Sequence, residues 1–578
     1  MGCVGSSGGA PGECPVSPRL QEASNRAEQQ CGKIALAGRY HSHHHHGKRL
    51  EDYYEIKKDV LGSGYNGNVY LASGKRQKGR FAVKGFKLKG LSEEKLQELE
   101  TEVDIFLGVD HPNIVRLVDV FETKDMLYMV MECMEGGELF ERLKVCKSFS
   151  EQDAAHLTFQ MLLAVNYLHS QNIVHRDLKL QNFLFKSSGG SKQIKLIDFG
   201  FSRRCRAADD DELTSNVGTL LHAAPEVLKK SYTSQCDLWS LGTIVFLLLS
   251  GKEPFLGNVK EMMRSIVKGR YDMKGEEWSK VSDQGKDFVR SLLKVNPDER
   301  LTAEKALQHP WITQHRETDK TNKPRMNQAT ATQLIKFSQV STFRRACMTM
   351  MALSLSPEDE AELYDAFLAA DTRRNGILDI NEFKHVIEEH FDLQDEEAQK
   401  IFDSIDSNND QTIHYSDFLS ACMLSRISMC DDLLEAAFRR LDKSETGTIN
   451  VNDMKDIFGG AISDEELQKV IRAASPSGGD ELSLECFFAY VRKGEDKASR
   501  RMSKSLIDRE VKISPQKLFR RSRSPRSPTM STASSQITWR SSPTVSLSLG
   551  DEHPSHLELG DEHPSAYPDA IKKDLETI

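Results

Sequence analysis

No stretch of this 578-residue chain reaches the ~18 consecutive apolar residues that suggest a bilayer span, and its polar, Gly/Ser-rich opening lacks the apolar core of a secretory signal. The chain is expected neither to span a membrane nor to be secreted. None of its eleven cysteines stands at Cys-x-x-Cys or Cys/His zinc-knuckle spacing, so they read as reduced thiols, which favours an intracellular compartment. An excess of one charge is lacking too: 77 Lys and Arg against 86 Asp and Glu leave a net charge of -9, with the signs interleaved rather than gathered on a basic face. No nucleic-acid partner is expected. What the chain has is length, several times the ~100–200 residues of a typical domain, which implies two or more separately cored units.

Residues 1–53 are poor in hydrophobic periodicity and read as a disordered leader. Its first residues, MGCVGS, fit the myristoylation pattern of Gly2 followed by a hydroxyl at Ser6, with Cys3 placed for a second acyl chain; the alternative is a chance match in a Gly/Ser-rich leader. Two such chains would hold the protein peripherally on the cytosolic face of a membrane, where one would be marginal. The run His43 to His46 reads as a solvated low-complexity insert. A folded unit spans 54–312, with short β-type runs up to Gly137 and helical patterns from Ala154 to His169 and beyond. A second, repetitive unit covers 356–492, in which Phe367, Phe402, Phe438 and Ile471 recur in one series and Phe383, Phe418, Met454 and Phe487 in another. Four copies of one helix–loop–helix explain both series. Residues 493–578, with RRSRSPRSP and a duplicated LGDEHPS at Leu549 and Leu559, hold few core-forming residues and read as a disordered tail.

Chemistry enters in the first unit. Gly62, Gly64 and Gly67 of GSGYNGNV make a loop in which side chains would obstruct backbone approach to phosphates. FAVK then places Lys84 on a strand, where its ammonium can meet the α/β-phosphates, and Glu102 follows in a helical pattern as its carboxylate partner. HRDLKLQN supplies Asp177 to accept a substrate hydroxyl's proton, Lys179 to steady the moving phosphoryl group and Asn182 as a magnesium ligand; Asp198 of DFG is the other metal ligand.

In this order these motifs resemble the eukaryotic protein-kinase family, together with APE at Ala224 to Glu226, DLWSLG from Asp237, and Arg300 as the expected partner of Glu226. The resemblance implies an α+β, bilobal fold and ATP with Mg²⁺ as cofactors. It further places Leu61, Val69 and Ala82 about the nucleotide, Met131 as gatekeeper, and the backbone of Glu132, Cys133 and Met134 against adenine. A non-catalytic scaffold of the same fold would have lost catalytic groups, yet Lys84, Asp177, Asn182 and Asp198 all stand. Lys179 and Thr219 resemble the serine/threonine class, and Glu138 matches the carboxylate with which basophilic members read a substrate arginine. Gln181 replaces a second such carboxylate, which relaxes that preference. Leu220 and Leu221 stand where relatives carry aromatic residues, and the acidic run Asp209 to Glu212 either neutralises Arg176 or is merely solvated. Ser215 lies where many kinases are phosphorylated.

The repeats of the second unit contain loops with oxygen-bearing residues at the EF-hand positions 1, 3, 5, 7, 9 and 12. Loop two offers Asp406, Asn408, Asp410, the carbonyl of Thr412, and Asp417, and reads as the best site. Loop three keeps Asp442, Ser444, Thr446, the carbonyl of Thr448, and Asp453, with weaker, mostly neutral ligands. Loop one has Asp371, Asn375, the carbonyl of Ile377, Asp379 and Glu382, but carries Arg373 at position 3. Loop four, from Ser475 to Cys486, reads as metal-free and retained for pairing.

Kinase, junction and four EF-hands together resemble the calcium-dependent protein kinases of plants and protists over roughly 54–492. That resemblance implies Ca²⁺ as a third cofactor, protein substrates, and a junction, 313–355, that holds the kinase off until the calcium-loaded module takes it. Leu334, Ile335, Phe337, Val340, Phe343, Cys347, Met348 and Met351 give this junction a helix-in-groove pattern, either exchangeable or packed permanently on the kinase. Arg344 and Arg345 before Cys347 either imitate a substrate towards Glu138 or solvate a polar helix face. A kinase under other control with structural EF-hands, and a calcium-dependent scaffold without catalysis, remain alternatives at this level.

Overall fold

Period-two alternation builds the first layer. Strands β1 (Tyr40–Ser42), β2 (Tyr54–Gly64), β3 (Gly67–Gly74), β4 (Arg80–Lys87), β5 (Leu117–Glu122) and β6 (Met126–Glu132) form one sheet in the order β1-β5-β6-β4-β3-β2. This computed structural model describes residues 26, 39–42, 49–64, 67–75, 79–188, 192–205, 220–229, 232–318, 326–355, 357–426, 430–458, 463–475 and 479–492. Gly2, Cys3, the His43 to His46 run, the stretch from Asp209 to Thr219 and the 493–578 tail lie outside the described residues.

β2 to β6 pair antiparallel, whereas β1 joins β5 in parallel with Tyr40 opposite Val120. β1 belongs to the expected disordered leader, and this part of that expectation is corrected. The leader adds an edge strand and a short helix, Leu50–Tyr53, whose Leu50 and the adjoining Tyr54 are buried with Phe81 and Phe121 on the outer face of the sheet. Covering that face removes apolar surface from water and supplies backbone partners to an otherwise open strand edge.

On the inner face the helix Glu93–Gly108 starts at Ser92, whose side chain accepts from the Lys95 amide, and turns Glu102 and Val103 into the core. The second lobe is built on two helices, Glu151–Ser170, capped by Ser150, and Gln235–Ser250, which is buried from Cys236 to its end. Gly242 of the latter meets Leu292 and Leu293 so closely that a Cβ would lie 2.9 Å or less from their atoms, and helix 283–292 rests there. Arg300 grips Glu226 at 2.6 and 3.1 Å, the pair expected from sequence.

The four repeats fold as helix–loop–helix units, and both hydrophobic series are buried at 4% exposure or less, as the period requires. Loops pair: Leu378 bridges Ile413, and strand Thr448–Asn450 pairs Glu481–Ser483 with Ile449 opposite Leu482. Loop four thus serves the pairing role read from sequence.

The junction contains two helices, Gln328–Phe337 and Thr342–Ala352, rather than one run, and both join the hydrophobic core of the repeats. The second packs against helices Tyr415–Ala421 and Asp431–Leu441, with Phe343, Cys347, Met348 and Met351 at 2% exposure or less. Arg344 and Arg345 fit neither alternative offered by the sequence. Arg344 is buried and donates to the Val491 carbonyl, and Arg345 donates to the carbonyls of Val340, Ser404 and Ser338. Unpaired carbonyls at helix ends inside the module attract these guanidiniums, which would otherwise be costly to bury.

Candidate active site and calcium loops

β4 carries Lys84 to the sheet's inner face, opposite Val69 on β3 and Met129 on β6. Its Nζ lies 2.6 Å from Glu102 Oε1 and 3.2 Å from Asp198 Oδ1. Burial opposes this charge, but the Asp198 and Glu102 carboxylates outweigh it and hold the ammonium well above its ordinary range. Asp198, although burial pushes the other way, is lowered chiefly by Lys84. Helix, strand and DFG turn are therefore assembled, and a cation stands where phosphate oxygens would be met. Gly67, at φ +128°, adopts a conformation that L side chains avoid, and a Cβ there would stand 3.3 Å from the Gly85 carbonyl.

The catalytic loop hangs on one buried carboxylate. Asp237 accepts the backbone N–H of His175 and Arg176 at 2.9 and 2.8 Å and also meets the His169 ring. Arg176 can then hold φ +70°, a strained value for a non-glycine residue, with its guanidinium donating to Phe201 O and Tyr232 Oη. Beyond this kink Asp177 meets Lys179 at 2.8 Å, and the Asn182 amide donates to the Asp177 carbonyl at 2.9 Å. His175 Nε2 lies 2.6 Å from the Asp198 carbonyl, joining catalytic loop to DFG turn. Asp177, Lys179, Asn182, Asp198, Lys84 and Glu102 are thus held together by hydrogen bonds and ion pairs through only a few side chains. Asn182 and Asp198 supply a neutral amide oxygen and a carboxylate, the donor types magnesium prefers.

Ala82 sits opposite Met131 between β4 and β6, Leu61 and Gly62 continue β2, and Met134 packs partly buried on the kinase core. Glu132 does more than lend its backbone to the hinge: its carboxylate accepts from Lys195 Nζ at 2.6 Å and from the Arg116 amide at 2.7 Å. Glu138 caps helix Leu139–Cys146 without a side-chain bond and is half-buried; burial, then Glu141, raises its pKa, and Lys179 opposes this.

In loop one, Asp371 accepts from the amides of Asn375 and Gly376, and Glu382 from Thr372 and Arg373. Arg373 pairs with Asp379 at 2.6 Å, so its charge is spent on the position 9 carboxylate. In loop two, Asp406 accepts from Gln411 and Asp410 amides, while Asp410 holds Asn408, Thr412 and the His414 ring. His414 escaped the sequence reading, although position 9 is where a ligand belongs. Burial opposes its charge, yet the Asp410 bond with the Asp417 and Asp110 carboxylates pushes it up to about 9. In loop three, Asp442 accepts from Thr446 and Gly447 amides and Asp453 from Ser444 and Asn450, while the Thr446 hydroxyl reaches Thr448. Burial pushes Asp371 and Asp417 up to about 7. Crowded, desolvated carboxylates of this kind are relieved by a divalent cation, and in that respect the loops fit calcium.

The module docks on the kinase through charges that the sequence did not reveal. Glu360, on helix Pro357–Ala370, meets Lys186 Nζ at 2.8 Å, Lys195 Nζ at 3.7 Å and Tyr415 Oη at 2.9 Å. Burial opposes its ionisation, but Lys195, Lys186 and Arg116 hold the carboxyl far below the usual range. Lys186 is lowered by burial and then by Lys195, and the Glu360 carboxylate opposes both. Arg116 donates to Ala352 and Leu355 carbonyls, Asp110 accepts from the Ser416 amide, Asn166 donates to Arg374 O, and Arg440 pairs Asp119 at 2.9 Å. A signal was available for Glu360: with Leu363, Phe367 and Ala370 it lies at helical spacing on the buried stripe, where an unpaired carboxylate would not be tolerated.

The protein kinase domain model matches residues 54–312, and the model of an EF-hand domain pair matches 360–423. Calcium-dependent protein kinase 5 of Plasmodium falciparum is 32% identical over 410 residues, 71% of this chain and 72% of that protein. Calcium-dependent protein kinase 3 of Plasmodium berghei is 31% identical over 427 residues, 73% and 76% of the two chains. Calcium-dependent protein kinase 7 of Arabidopsis thaliana is 30% identical over 461 residues, 78% and 85%.

Proposed function

Starting from a chain that belongs to the calcium-dependent protein kinases, we propose that docking of the EF-hand module onto the rear of the kinase is its switched-on arrangement. The chain is a calcium-regulated serine/threonine protein kinase, with ATP and Mg²⁺ at the catalytic site and Ca²⁺ at the EF-hands. ATP supplies the transferable phosphoryl group when bound, and the chain's own groups do the rest. Lys84, fixed by Glu102, would hold phosphate oxygens, Asn182 and Asp198 the magnesium, and Asp177 would orient the acceptor hydroxyl and take its proton. Asp406, Asn408, Asp410, Thr412 and Asp417, with the loop-three and loop-one sets behind them, would hold calcium.

The observation that carries this reading is the simultaneous formation of the Lys84–Glu102 pair and burial of the junction helix Thr342–Ala352 in the module. A junction sequestered in the module is not in the substrate groove, so the off state must release it. We extend the reading to acyl anchoring through Gly2 and Cys3 on a cytosolic membrane face, and to substrates with an arginine for Glu138. The test is phosphorylation of a basic Ser/Thr peptide by the full chain in calcium and in chelator, with deuterium exchange of residues 342–352. Stimulated transfer with slowed exchange in calcium is expected; equal transfer in both conditions overturns the proposal.

A further inference from the structure

Three buried side-chain nitrogens at one seam lack a hydrogen-bond partner: Nε of Arg39, Nε of Arg116 and Nε2 of His111. All three residues line one cavity of about 20 Å³, which Asp110, Lys195, Leu353, Glu360 and Ser416 help to close. Arg39 comes from the leader beside β1, His111 and Arg116 from the loop between helix Glu93–Gly108 and β5, and Glu360 and Ser416 from the calcium module. The cavity therefore lies where leader, kinase and calcium module meet.

All three atoms are donors. Guanidinium nitrogens carry protons and accept nothing. Arg116 has given Nη1 to Ala352 O at 3.1 Å and Nη2 to Leu355 O at 2.9 Å, which leaves Nε. His111 accepts the Asn113 amide at Nδ1, 3.0 Å away, and burial keeps its ring neutral by driving its pKa down to about 3, so the single ring proton sits on Nε2. Orphaned buried donors are costly, and three around one space call for an acceptor.

The charges agree. Arg39, Arg116 and Lys195 line the cavity against Asp110 and Glu360, one positive charge in excess. A water would accept two of the three bonds and would bring two protons of its own to place. An anion accepts all three and balances the charge. The volume suits one guest of about the size of water and favours a single-atom anion over a tetrahedral oxyanion. We propose that this seam binds a single-atom anion of the halide class, chloride under cellular conditions, shared by Arg39, His111 and Arg116. The leader would then be fastened to the kinase partly through an ion that neither holds alone.

Crystals of the full chain soaked in bromide test this directly. An anomalous peak within hydrogen-bond reach of Arg39 Nε and Arg116 Nε is expected; a water refined there, with no anomalous signal, overturns the proposal. In solution, at constant ionic strength, a tenfold rise in chloride at the expense of gluconate should raise the thermal midpoint of the wild-type chain. Arg39→Met should abolish that rise. A midpoint indifferent to chloride in the wild-type chain, or a rise that survives in Arg39→Met, also overturns it.

Discussion

Replacing Glu360 by glutamine removes one charge and almost no volume from the seam between kinase and module. Its side chain is 2% exposed and its partners Lys186 and Lys195 are 4% and 1% exposed, so water screens neither pair. In Glu360→Gln, Tyr415 keeps an acceptor, but two buried ammonium groups are left to share Glu132. Removing one partner of a buried ion pair costs about 3–5 kcal/mol, because the surviving charge stays desolvated. The lysines are exposed to water again when the module leaves, so the loss falls on the docked state and lowers its population by about two to three and a half orders of magnitude. Calcium-stimulated peptide phosphorylation should collapse towards the chelator rate, and amide exchange in helix 357–370 should accelerate. Lys186→Met/Glu360→Met should recover much of what either single change loses, since apolar residues of similar size replace a buried pair at little cost. If Glu360→Gln keeps wild-type stimulation and unchanged exchange, the seam does not hold the active arrangement together.

Asp198→Asn should reduce phosphoryl transfer to background with an unaltered melting curve, because it weakens the magnesium site at constant volume. His414→Gln should tighten calcium binding at loop two roughly ten- to hundredfold in calorimetric titration, since it withdraws a charged hydrogen bond from Asp410. Asp406→Ala should impair calcium activation more than Ser475→Ala, because only the former removes a charged ligand; equal titrations would show that the loops are wrongly ranked.

The catalytic constellation was legible because its chemistry demands fixed residue types in fixed order, and Lys84, Glu102, Asp177, Asn182 and Asp198 stand where that order puts them. The four repeats were legible through period alone, as buried Phe367 to Ile471 and Phe383 to Phe487 attest. What escaped depends on contacts between distant segments. β1 is three residues long and too short for a pattern, and it exists only because β5 offers an edge. His414 was passed over, because its charge comes only from the Asp410, Asp417 and Asp110 carboxylates that the fold sets beside it. Arg344 and Arg345 read as a substrate's arginines or as a solvated helix face because a basic string reads alike whether it meets carboxylates, water or helix-end carbonyls.

The seam's chemistry suits the opening contact that the proposed switch requires. An apolar patch of equal strength would hold the module in either calcium state, and would expose a sticky surface whenever it parted. Charges behave otherwise: Lys186, Lys195 and Arg116 are content in water, and they are content against the module only when Glu360 and the carbonyls of Ala352 and Leu355 arrive in register. Ala352 ends the junction helix, Leu355 follows three residues later and Glu360 five after that, so the helix buried in the module and the charges that dock it lie on one short piece of chain. A module that had not drawn in residues 342–352 would present Glu360 out of place, and the two lysines would remain in water. In the proposed switch, capture of the junction and docking on the kinase are then a single step, because the buried charges at the seam tolerate no partial version of it.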